Sequence, residues 1–255
     1  IKDYNAALKI KPGYAIAMAS RAVCYAKMGK SDLALKDFNE AVKMKANSTY
    51  ALTSRGSFYM DQGKYDLAIA DFTEALKVDS KAFDPRNNRG NAFHYTKQYE
   101  LAISDYSLVI LLDSSYYPAY YNRGNAHSFL DKNVEAMADY TKAISLQPSA
   151  GEIWLARADL HSKLYNYEAA LSDYEEALHL NPADTNALNN RGLIYMEQKK
   201  YDPALKDFME ALRINPRFLM ALNNRGNLYL QQGKYELALK DFNEILRYDP
   251  ANTEA

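Results

Sequence analysis

Four histidines, one cysteine and a regular row of arginines are the residues of this chain best suited to chemistry. His94, His127, His161 and His179 would make a metal site only if two or more converged with thiolate or carboxylate ligands. His127 and His161 instead occupy the column held elsewhere by Tyr59, Tyr195 and Tyr229, so they read as replacements for core aromatics and no metal is expected. Cys24 has no histidine beside it in sequence to activate a thiolate. Glu175 and Glu176 read as a solvated helix surface, and no glycine-rich phosphate loop, G-x-S-x-G or H-E-x-x-H occurs. No catalytic residue and no cofactor is expected.

The arginines are Arg21, Arg55, Arg89, Arg123, Arg157, Arg191 and Arg225, and each is followed 16 residues later by an aspartate, from Asp37 to Asp241. Seven arginines in a stripe would bind an anion. Seven arginines each matched to an aspartate have their charge already answered, and this constant matching favours ion pairs between helices over anion capture.

The elements that position these residues follow from a period of 34 residues without insertions. It carries Ala22, Gly56, Gly90, Gly124, Ala158, Gly192 and Gly226, an alanine column through Ala34, Ala68 and Ala102, and an aromatic column through Phe38, Phe72 and Tyr106. From Leu52 to Asp61 and from Tyr65 to Leu76, apolar residues recur three and four apart, the spacing of one helical face. Each unit is therefore two helices. Gly29, Gly63 and Gly233 fall between them, where positive φ ends the first helix; Pro148, Pro182, Pro216 and Pro250 fall after the second, with Ala46, Ser80 and Ser114 in their place elsewhere. The small column is expected on the first helix where the second approaches, met by the alanine column, with aromatics such as Tyr59 and Phe72 filling the space between repeats.

Gly56, Tyr59, Ala68, Phe72 and Ala75 together with the period resemble the tetratricopeptide repeat family. The resemblance covers nearly the whole chain and implies an all-α fold, a right-handed α-solenoid or superhelix of helix-turn-helix repeats. The expected organisation is a single domain over 1–255: a half repeat at 1–14, then repeats at 15–48, 49–82, 83–116, 117–150, 151–184, 185–218 and 219–252. Ile1 and the closing Thr253, Glu254 and Ala255 begin and end within repeats, so a piece of a longer chain is expected.

By the same resemblance, first-helix positions not used for packing line a concave groove. In two repeats that surface reads Asn87, Asn88, Asn91, His94 and Tyr95, then Tyr121, Asn122, Asn125 and Phe129; in the last two it reads Asn189, Asn190 and Glu197, then Asn223, Asn224, Asn227 and Gln231. An asparagine offers both donor and acceptor, so a row of them can pair with the backbone of an extended peptide whatever its side chains. The row looks like the asparagine ladder of some tetratricopeptide arrays, including that of the O-linked N-acetylglucosamine transferase, and the resemblance carries that role to Asn88, Asn122, Asn190 and Asn224. The alternative is that these amides only tie neighbouring repeats together. The repeat at 151–184 breaks the row with Leu155, Ala156 and Asp159 and adds Trp154, which divides the groove into two halves.

The carboxylate clamp for acidic chaperone tails, another use of this family, is not expected. Asn91 and Asn122 match two clamp asparagines, but Asn87 stands where a lysine belongs, Glu152 and Ala156 replace later basic positions, and Asp61, Asp84 and Asp159 repel a tail of like charge. Lys plus Arg number 31 against 32 Asp plus Glu, which gives no basic footprint for nucleic acid or an anionic membrane. No apolar run reaches the ~18 residues of a membrane span. The expected partner is a protein or peptide, and the expected role a non-enzymatic interaction scaffold. Self-assembly by head-to-tail stacking of uncapped ends, or service as the targeting module of a larger enzyme, are the alternatives. The compartment stays open, with the cytoplasm favoured.

Overall fold

The computed structural model describes residues 1–44 and 48–249, all helix and turn. Ala46, Asn47, Pro250 and the closing Thr253, Glu254 and Ala255 lie outside the described residues. The chain packs as two units, Ile1–Ala136 and Met137–Ala255. The first contains a lone α1 (Lys2–Ile10), the pairs α2 (Ala15–Lys27) with α3 (Ser31–Lys43), α4 (Ser48–Asp61) with α5 (Tyr65–Val78) and α6 (Phe83–Tyr95) with α7 (Tyr99–Leu112), and then α8 (Tyr117–Phe129). The unit boundary falls inside α9 (Asn133–Leu146). The second unit continues with α10 (Gly151–Lys163) paired with α11 (Tyr167–Leu180), α12 (Thr185–Glu197) with α13 (Tyr201–Ile214) and α14 (Leu219–Gln231) with α15 (Tyr235–Tyr248). Within each unit, a first helix packs on its own partner, on the second helix before it and on the first helix of the preceding pair, as α4 does on α5, α3 and α2. This is an α-solenoid of helix pairs in which each pair depends on its neighbours.

Each first helix ends on a left-handed residue. Gly29, Gly63 and Gly233 take φ of 71°, 69° and 69°, as their spacing predicts. The same column continues through Lys97, Asp131, Tyr165 and Lys199, which adopt φ of 55° to 60° without the glycine that makes it easy. Packing has fixed the turn in these four against local preference.

The small column meets a different partner from the one expected. A Cβ on Gly56 would lie 2.6 Å from the ring of Phe72, and on Gly192 2.7 Å from Phe208; Gly90 faces Tyr106 and Gly226 faces Phe242 in the same way. The aromatic column, rather than the alanine column, presses on the first helix, because only a flat ring spans the interhelical gap where no Cβ stands. Ala34, Ala68, Ala102, Ala170 and Ala204 are fully buried and flank that contact, and Phe38, Phe72 and Phe208 are fully buried with them.

Candidate functional site

The arginine column is structural, and it does more than pair with aspartate. Arg55 on α4 grips Asp71 on α5 with two parallel bonds, Nε to Oδ2 at 2.8 Å and Nη2 to Oδ1 at 2.6 Å. Arg21, Arg89, Arg157, Arg191 and Arg225 hold Asp37, Asp105, Asp173, Asp207 and Asp241 in the same fork. The aspartates are buried and the guanidiniums half-buried, so each bond is strengthened by exclusion of water. The fork raises the pKa of Arg55 against the opposing cost of burial. The remaining Nη1 reaches back to the preceding helix: Arg21 to Asn5, Arg55 to Asn39, Arg89 to Thr73, Arg123 to Ser107 and Arg157 to Thr141. One guanidinium thus ties its own pair together and stitches it to the pair before. An aromatic ring four residues on lies against the same guanidinium at Tyr25, Tyr59, Phe93 and Tyr195. Where His127 and His161 replace that ring, Arg123 and Arg157 sit instead over Tyr120 and Trp154, three residues back. Trp154, unexplained by the repeat pattern alone, supplies that ring and donates its indole N–H to the Pro148 carbonyl at 2.8 Å.

The ladder asparagines occupy one column of first-helix positions, and each donates its Nδ2 one repeat back. Asn88 donates to Ser57 Oγ at 3.4 Å, Asn122 to Asn91 Oδ1 at 3.2 Å and Asn190 to Asp159 Oδ1 at 2.9 Å. For Asn224 the equivalent acceptor position is Leu193, which has none, and Asn224 turns to Asn189 Oδ1 at 2.8 Å. The acceptors are themselves held: Tyr106 donates its hydroxyl to Asn91 and Tyr174 donates to Asp159. Where the aromatic is Phe38 or Phe208, the acceptor position carries Val23 or Leu193 instead; in the repeats of Phe72 and Phe242 it carries Ser57 and Asn227, so a polar acceptor also stands where the ring has no hydroxyl. Burial drives the Tyr106 and Tyr174 hydroxyls well above the ordinary tyrosine range. It also pushes the Asp159 carboxyl up, against the hydrogen bonds from Tyr174 and Asn190 that favour its charge.

On the same face of the first unit lies a cavity of about 560 Å³. Phe38, Phe58 and Val23 form its apolar floor, with the two rings 5.4 Å apart. Ser54, Ser57 and Asn88 lie along it, and Asp61, Asp84 and Lys27 carry the charges at its edge. Among the described residues no three His, Cys, Asp or Glu side chains converge to hold a metal ion, and no helix is long and apolar enough to cross a membrane.

Models described as "Tetratricopeptide repeat" match residues 15–48, 117–150, 185–218 and 220–252, and one described as "TPR repeat" matches 56–96 and 166–199. The chain belongs to the tetratricopeptide repeat family. No curated protein matches it. Among solved structures it is similar to a tetratricopeptide repeat protein from Parabacteroides merdae ATCC 43184, at 21% identity and TM-score 0.73 over 94% of each chain. It is similar to YrrB, described as a TPR protein with an unusual peptide-binding site, at 26% identity and TM-score 0.59 over 72% of this chain and 94% of that one. MamA follows at 23% identity and TM-score 0.60, over 63% of this chain and 94% of that one.

Within this tetratricopeptide array the residues expected along the groove divide by exposure. Asn87, Asn88, Asn91, Tyr121, Asn122, Asn125, Asn190, Asn223, Asn224 and Asn227 are half-buried. Tyr95 is exposed and stacks on Tyr65 with ring centroids 5.0 Å apart, as Phe129 does on Tyr99 at 4.9 Å. Asn189 is the exception. It is 2% exposed, accepts from Asn224 and donates to Asn190, so it belongs to the tetratricopeptide core rather than to its surface. Residue type alone could not separate it from Asn223, one repeat on; the missing acceptor at Leu193 draws it into the network. The stitching acceptors and the serine-lined cavity were also missed, the first because they alternate among Asn, Thr and Ser, the second because a cavity is written in what is small.

Proposed function

We propose that the first-helix face of this tetratricopeptide array binds an extended segment of a partner protein, as a non-enzymatic interaction scaffold. The observation that carries this reading is that the ladder amides are tethered without being used up. An asparagine side chain has two N–H donors and two acceptor positions. Each ladder residue commits one donor to its own array, which fixes the rotamer before any partner arrives. Asn122 and Asn224 keep carbonyl oxygens with no hydrogen bond among the described residues. A pre-set amide loses little side-chain entropy on binding, so it recognises peptide backbone at low cost. The packing role and the peptide role are therefore compatible. The likeness to YrrB, described as peptide-binding, supports the same reading.

The test is retention of partner proteins from the source cell by the wild-type chain and by Asn88→Ala, Asn122→Ala, Asn190→Ala and Asn224→Ala combined. Each lost tether should cost roughly 1 kcal/mol of stability, so helicity and melting are checked first by circular dichroism. Partners retained by wild type and lost from a folded variant are the expected result; identical partners on both would remove the ladder from the interaction.

A further inference from the structure

The cavity of the first unit exists because two columns shrink. Ser54 stands in the column of Asn88 and Asn122, and Ser57 in the column of Asn91 and Asn125. Both serines line the space. Each is two heavy atoms shorter than the amide one repeat on, and the missing atoms leave space lined by Val23 and the edge of Phe58, with Phe38 fully buried behind them.

The charges around it are unanswered. Asp61 and Asp84 are exposed, and neither has an ion-pair partner among the described residues; Lys27, the third charge at the edge, leaves the rim net negative. Asp84 stands in the first turn of α6, where a carboxylate suits the helix N-terminus. Asp61 has no such reason. It is the last residue of α4, where the backbone carbonyls already present negative charge, so its carboxylate deepens the potential at the mouth of the cavity. An apolar floor beneath a negative rim complements a side chain with an aliphatic stem and a cationic head.

We propose that this cavity is a specificity pocket for a lysine or arginine side chain of the bound segment, with the stem against Phe58 and Val23 and the head at Asp61 and Asp84. The assignment rests on the peptide reading above and adds to it the chemistry of one partner residue.

The test uses the whole chain, immobilised, and short synthetic peptide pools randomised except for one central residue fixed as Lys, Arg, Leu or Glu. Retention is read by mass spectrometry for wild type, for Ser54→Asn with Ser57→Asn, and for Asp61→Asn with Asp84→Asn. The first variant fills the cavity with the residues the chain itself carries in the next repeat; the second removes charge at constant shape. Wild type should retain the Lys and Arg pools about fivefold over the Glu pool. Both variants should bring the ratio near one, the second without loss of the Leu pool. Peptides retained by wild type with no Lys or Arg preference, or with a preference that survives both variants, overturn the pocket and leave the peptide reading standing. A wild-type chain that retains no pool at all overturns both.

Discussion

Nη1 of Arg55 donates to Oδ1 of Asn39 at 2.8 Å, across the boundary between successive helix pairs. The same guanidinium holds Asp71 in its own pair with its other two nitrogens, Nε and Nη2. Asp71→Ala strands a half-buried arginine and should cost roughly 3 to 5 kcal/mol. Asn39→Ala removes only the backward bond and should cost about 1 to 2 kcal/mol. Urea denaturation followed by circular dichroism checks the order, and equal losses for the two variants would contradict the division between clamp and stitch.

Gly192 tests the contact between the small column and the rings. Gly192→Ala gains about 1 kcal/mol of helix propensity but places a methyl 2.7 Å from the Phe208 ring, closer than a relaxed contact allows, so the buried ring must move away from the first helix. Ala22 and Ala158 already occupy this column, so the change should be close to neutral. Gly192→Leu has no such escape and should cost about 3 kcal/mol or more. The melting temperatures of the two variants separate the cases.

The left-handed turns offer a stabilising change. Lys199 adopts φ of 58° at the position where Gly29 and Gly63 stand in other repeats. Lys199→Gly should stabilise the chain by about 0.5 to 1 kcal/mol, and Gly63→Ala should destabilise it by a similar amount. Denaturation midpoints moving in the same direction would contradict this account of the turn.

Two histidines make stability fall in mild acid. Burial lowers the pKa of His94; burial also lowers that of His161, with Arg157 adding to it and Asp173 opposing. The unfolded chain takes up protons near the ordinary value of 6.5 while the folded chain does not. Stability is therefore full above that value, falls as pH drops below it, and levels once the folded histidines themselves protonate. His94→Met with His161→Tyr, residues found in the same columns at Met60 and Tyr195, should flatten the melting temperature between pH 7 and the lowered folded pKa values. An unchanged slope would place the pH dependence elsewhere.

The helix pairs and the Arg–Asp forks were legible in the sequence because both members recur at fixed spacing, and a constant pair implies a constant contact. Helix ends were less so. The apolar pattern of α4 begins at Leu52 while the helix starts at Ser48, since its first turn carries no periodic apolar face. The backward stitch was hidden because any small side-chain oxygen accepts from Nη1, so Asn39, Thr73 and Ser107 form a column of geometry and not of type. The glycine column was recognised but matched to alanine, because a sequence shows that space is needed without showing which neighbour fills it.

Ser54 and Ser57 have a wider consequence. The backbone under them repeats beneath Asn88 and Asn91, so cutting those two amides back to serine while restoring amides at Ser54 and Ser57 should move the hollow one step along the same stack without redesigning a helix. The address of a hollow on this surface is then set by four atoms at two positions, and it can be rewritten independently of the framework that carries it.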